Sequence, residues 1–244
     1  MPDRWPFRFR PQRGPTLIVI PCLVILLGLS AWQLHRHEWK AGLIAEREAG
    51  MQAPPIALPA TIPDAQALSF RHVRVTGTFR HDRELYVAAV SRRGNDGYQI
   101  VTPLERRDGP PVLVNRGWVP KDRKEPATRA AGQVPGEVSV DGIARVNQVR
   151  TGWLSGMIPA NQPDRNLWFT MDLPAMGAAL GLREIAPVYV EAGPAPNPGI
   201  YPLGGQTRVS LPNDHLQYAA TWFLLAIALA VIYVVFHRPK SPGA

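Results

Sequence analysis

The sequence predicts an α+β membrane protein: two transmembrane helices flanking an extracytoplasmic, antiparallel β-rich domain, either a sheet or a small barrel. Three observations predict it. Residues 16–34 and 216–236 carry no formal charge over 19 and 21 residues, enough to span a hydrocarbon core of roughly 30 Å. Between them, short segments of alternating apolar and polar residues are separated by Gly, Pro and Asp, as in half-buried strands. The net charge of +8 is concentrated beside the apolar runs: +3 in residues 1–15 and +2 after residue 236.

That distribution selects the partners. Only +3 remains for the 181 residues between the two spans, so the basicity is juxtamembrane and the lipid bilayer is its partner. Nucleic acid is not indicated. The one cysteine, Cys22, lies inside the first apolar run, so the chain has no intrachain disulfide and no cysteine pair for copper or zinc. The five methionines (residues 1, 51, 157, 171 and 176) are scattered, which disfavours a copper carrier.

The basic N-terminus (1–15) precedes the first span (16–34), which contains Pro21 and continues through Trp32, an interface-type aromatic. A cleavable signal peptide ending near Gly28 is the competing reading, and the continued apolar pattern favours retention. With two spans both termini lie on one side, and the flanking Arg and Lys residues put them in the cytoplasm. The central domain, 35–215, then faces the periplasm of a bacterial inner membrane. A cytoplasmic tail, 237–244, ends the chain.

Residues 38–50 read as a short helical extension, stopped by Pro54 and Pro55, with a Pro-rich connector to about Phe70. Strands are expected over 73–79, 84–90, 98–104, 112–119, 137–144, 166–171 and 187–192. Asp108-Gly109 marks a hairpin between the third and fourth. Residues 120–135 are charged and read as an exposed loop. Asp172 followed by Pro174 caps a short helix. Residues 193–212, rich in Pro and Gly, read as a linker to the membrane. Asp214 and Gln217 then stand in N-cap and N3 spacing, an Asp variant of the capping box.

This spacing places His215 in the first turn of the second span. The partial positive charge of a helix N-terminus disfavours imidazolium, and neutral imidazole is the form that ligates iron. Tyr218 and Trp222 follow at i+3 and i+7 on the same side of the helix. A flat macrocycle can be drawn against them with its propionates toward Arg36, Lys40 or Arg208. An ordinary aromatic belt explains the same residues, and spacing alone does not choose between the two. His35 and His37, flanking Arg36, read as interfacial polar residues, as does His237; His72 and His81 read as a solvated face. Asn115, Arg116, Gly117 and Trp118 read as a strand end with a glycine-enabled bulge, the Arg free to face solvent or a partner. The chain contains no phosphate loop, His-Glu-x-x-His or Gly-x-Ser-x-Gly motif, and no enzyme is predicted.

Together these segments resemble the surfeit locus protein 1 family, assembly factors of cytochrome c oxidase. The resemblance runs from Gly28-x3-Trp32-Gln33-x2-Arg36-x3-Lys40 through 75–79, Gly97-Tyr98, Pro103-Leu104 and 114–120 to Asn213-x-His215-x2-Tyr218-Ala219-x-Thr221-Trp222. It implies an anchored β-rich domain that assists insertion of haem a into subunit I of the oxidase, working with haem a synthesis or assembly factors. His215 would be the iron ligand and Trp222 a supporting residue. The alternative is a structural scaffold that binds oxidase subunits and holds no haem; it would not need His215 and its aromatic neighbours.

Overall fold

The computed structural model describes residues 11–91, 94–147, 156, 159–207 and 213–238. The chain divides into two compact units, one formed by residues 1–46 with 210–244 and the other by 47–209. Arg208, Met157 and the basic residues at 4, 8, 10 and 240 lie outside the described residues.

The helical unit pairs two long helices. Helix α1 runs Arg13–Gln52 without interruption at Pro21, and α3 runs His215–Phe236. Both are long and apolar enough to cross a membrane. The first is far longer than its apolar run. The charged residues after Leu34 are good helix formers, and no proline follows Pro21 until Pro54. The two helices pair antiparallel, with small residues at the contact. Ser30 Oγ donates to the Ala219 carbonyl at 3.0 Å, and Thr16 and Tyr233 share a hydroxyl–hydroxyl bond. Ser30, Ala219 and Ala226 are buried, whereas Leu17, Ile18, Val24, Leu224, Ile232 and Phe236 are exposed.

In the β unit, eight strands among the described residues form one mixed sheet. They are β1 (Ile56–Ala57), β2 (His72–Phe79), β3 (Leu85–Val90), β4 (Asp96–Glu105), β5 (Val112–Pro120), β6 (Glu137–Val146), β7 (Leu167–Trp168) and β8 (Val188–Ala192). The order is β1-β2-β6-β8-β5-β4-β3-β7, and β2 also pairs with β4, so the pairs β2–β6–β8–β5–β4 lead back to β2. The antiparallel expectation is corrected here: β1–β2, β3–β7 and β5–β8 are parallel. Alternation specifies which side chains are buried but not strand direction. The long stretch between β5 and β8 allows the chain to return parallel.

Strand β5 is the centre of the unit because both its faces are covered. Val112 and Val114 join a core with Val73, Val75, Leu104, Val188 and Val190. Leu113 points the other way, to Trp168, Met176 and Tyr189. That second core is closed by helix α2 (Leu173–Ala179), whose cap Asp172 accepts a hydrogen bond from Ala175 N at 3.2 Å.

The strand expected over 166–171 shrinks to two residues. Asn161 Oδ1 accepts from Phe169 N and Thr170 N at 2.8 and 3.1 Å, which diverts that backbone from the ladder. Residues 193–207 are not a free linker either. Leu203 exchanges two 2.9 Å backbone bonds with Trp118, and Gly205 N bonds Ala192 O.

Candidate functional site

The helical unit brings His215 to Gln33. His215 Nδ1 lies 2.7 Å from Gln33 Oε1. A carbonyl oxygen only accepts, so Nδ1 carries the proton, and in the neutral ring the lone pair is then on Nε2. An amide oxygen that accepts from one ring nitrogen of a histidine orients the ring and leaves the other nitrogen for ligation. One turn further along α1, the His37 carbonyl accepts from Asn213 Nδ2 at 3.4 Å, and His37 Nδ1 is buried with no hydrogen-bond partner among the described residues.

The other expected residues surround this pair unevenly. Tyr218 is exposed and Trp222 half-buried on α3. Arg36 and Lys40 follow Gln33 at i+3 and i+7, on its side of α1. Arg36 stacks its guanidinium 4.1 Å from the Trp39 ring centroid. His35 is exposed. His237 is buried, its Nδ1 2.8 Å from the Tyr233 carbonyl, rather than an open interfacial residue. Asp214 does take the N-cap position, but its side chain makes no capping bond. Its φ of −83° and ψ of 6° depart from the extended conformation that turns a cap side chain toward N3. Gln33 had a sequence signal of its own: an amide in an otherwise apolar run needs a partner.

The β unit holds a second polar centre, and it overturns two expectations. Arg116 is buried, not solvent-facing, and so is Arg129 in the supposedly exposed 120–135 loop. Both surround Glu84. Arg129 donates to its two carboxylate oxygens at 3.0 and 2.5 Å, and Arg116 Nη1 stands 3.7 Å away. His81 is part of this cluster rather than of a solvated face. Its Nε2 donates to the Val134 carbonyl at 3.0 Å, and its Nδ1 lies 3.3 Å from Arg116 Nη1 and 3.9 Å from Glu84 Oε1. Arg116 also donates to the Gly132 carbonyl and lies 4.8 Å from the Phe79 ring. His72, also expected on a solvated face, is half-buried, with Nδ1 3.2 Å from the Ala53 carbonyl.

The bulge expected at Gly117 is what turns Arg116 inward. In the β4–β5 register Ile100 faces Gly117 and Val101 faces Asn115, leaving Arg116 as the extra residue. Gly117 has φ +125°, and a Cβ there would lie 2.0 Å from the Leu203 carbonyl oxygen. Only glycine lets the chain reverse its facing and accept Leu203 alongside.

Two charges meet one in this cluster. Burial by itself raises the Glu84 carboxyl; the His81 ring, the Arg129 bonds and the charges of both guanidiniums outweigh it and hold it below its ordinary range. Arg116 is pushed down to about 10, first by burial and further by Arg129, with Glu84 only partly opposing. Among the described residues no group of three or more His, Cys, Asp or Glu side chains could hold a metal ion.

Fold and site define a class: a mixed β-sheet unit set into the chain between two helices long enough to cross a membrane, with a tautomer-fixed histidine opening the second. The SURF1 family model matches residues 20–227, and the chain belongs to that family. It is similar to Surfeit locus protein 1 of Homo sapiens, 36% identical over 243 residues, covering 93% of this chain and 78% of the relative. The Rattus norvegicus protein of that name is 38% identical, covering 93% and 76%. A SURF1-like protein of Monosiga brevicollis is 36% identical over 234 residues, covering 91% of this chain and 86% of the relative.

Proposed function

We propose that this protein is a membrane-anchored assembly factor that carries haem a as cargo and delivers it to subunit I of cytochrome c oxidase. The observation that supports cargo binding is the Gln33–His215 bond, which leaves His215 Nε2 available as an axial ligand. Tyr218 and Trp222 offer aromatic surface to a macrocycle, and Arg36 and Lys40 offer cations to propionates. No bond is made or broken in the cargo, so the protein is not an enzyme. Haem a synthesis or assembly factors are its upstream partners.

Both α1 and α3 would cross a bacterial inner membrane, their exposed Leu, Ile, Val and Phe side chains facing lipid. The basic residues outside the spans put both termini in the cytoplasm and the β unit in the periplasm. A single half-buried histidine suits a carrier, because handover requires release.

The test is an optical spectrum of detergent-purified protein from cells making haem a, beside His215→Ala. A Soret band in the wild type that is lost in the variant is expected. An uncoloured wild type overturns cargo binding and favours the scaffold reading, in which the chain binds oxidase subunits without haem.

A further inference from the structure

The buried charges around Glu84 do not cancel. Both Glu84 oxygens accept from Arg129, and the nearest partners of the Arg116 guanidinium are the His81 ring and the Gly132 carbonyl, neither of them an anion. Among the described residues Arg116 is therefore left with a carboxylate no nearer than 3.7 Å, although its side chain is only 3% exposed. A buried cation ordinarily has a close anionic partner.

Arg116 also lines a cavity of about 220 Å³, together with Phe79, Val138, Val140, Ala192, Ala195 and Pro196. Its wall is mostly apolar. The acidic residue at its edge, Asp141, is already held by Arg74 through two bonds of 2.6 and 2.7 Å. The volume lies below the roughly 300 Å³ at which pockets for drug-sized ligands begin, so a fitting occupant is small.

We propose that this cavity is a binding site for a small amphipathic carboxylate. The carboxylate pairs with Arg116 and the apolar body lies against Phe79, Val140 and Pro196. The site is separate from the His215 region and stands whether or not the chain carries haem. Its chemistry requires both parts: a neutral analogue of the same shape leaves Arg116 without its anion, and an anion without an apolar body leaves the wall wet.

Benzoate and benzamide, nearly equal in shape and different in charge, make the test, with acetate as the anion that lacks a ring. Binding to the full chain in detergent is followed by titration calorimetry, and partition into micelles is subtracted with detergent alone. Benzoate should saturate at one site, with benzamide and acetate at least tenfold weaker. Arg116→Met should abolish the preference for benzoate over benzamide. Because that variant also disturbs the Glu84 cluster, Ala195→Trp is the second arm: it fills the cavity from its rim and leaves the cluster's bonds in place. Its benzoate affinity should fall at least tenfold while its thermal midpoint stays near wild type. Equal binding of benzoate and benzamide, no saturable benzoate binding, or unchanged benzoate binding in a folded Ala195→Trp would overturn the proposal.

Discussion

Gln33 and His215, 182 positions apart in the sequence, share a 2.7 Å hydrogen bond between two antiparallel helices. The amide oxygen decides which nitrogen of the neutral imidazole bears the proton, and therefore which one keeps the lone pair.

Gln33→Leu removes that control and should weaken haem retention on the purified protein by about 10–100-fold, the usual cost of losing an orienting partner. Gln33→Glu keeps an acceptor at the same place and should retain haem. Retention is read from the Soret absorbance surviving a gel-filtration step. Undiminished colour in Gln33→Leu would remove the amide from the site.

Glu84→Gln leaves two buried guanidiniums without a carboxylate. Breaking a buried ion pair from one side costs about 3–5 kcal/mol, so the variant should unfold at markedly lower denaturant, read by Trp fluorescence. Adding Arg129→Met should recover part of that loss, because it removes the cation that Glu84 held most tightly. A double variant no better than the single one would show that the cost comes from packing rather than charge.

The same carboxylate makes stability pH-dependent. Its folded pKa lies below the unfolded value of about 4.3. The stabilisation is therefore complete above that value and is lost as pH falls through the lower folded pKa, where the native state must take up a proton. Denaturation midpoints measured from pH 6 down to pH 3 should fall more steeply for wild type than for Glu84→Gln. Parallel curves would assign the acid sensitivity to other groups.

Gly117→Ala should cost at least about 1–3 kcal/mol, since it places a side chain at φ +125° and against Leu203. The loss should be accompanied by faster amide exchange at Leu203, whose N–H bonds the Trp118 carbonyl at 2.9 Å. Unaltered protection there would mean that the 193–207 segment is held by other contacts.

Much of this architecture was legible in the residues. The two apolar runs, most strands, the Asp108-Gly109 hairpin and the Asp172 cap follow from local patterning, and the family followed from spaced motifs. What periodicity could not supply was partnership across the chain. Arg116 reads as an outward-facing residue until the bulge is set in register against Ile100 and Val101. Arg129 sits in a charged, Pro-containing segment whose composition implies exposure, yet Glu84, 45 positions earlier, draws it inside. His81 was misplaced for the same reason. Parallel pairing of β5 with β8 likewise depends on where a long connection returns, which no local pattern encodes.

The pairing of α1 with α3 imposes an order on biosynthesis. Ser30 finds the Ala219 carbonyl, and Gln33 finds His215, only after nearly the whole chain has left the ribosome. A chain interrupted before residue 213 would contain α1 and the eight strands named above, yet lack the histidine. The Gln33–His215 pair thus forms only once α3 has been made, and under the proposed function a product cut before that helix would lack its iron ligand.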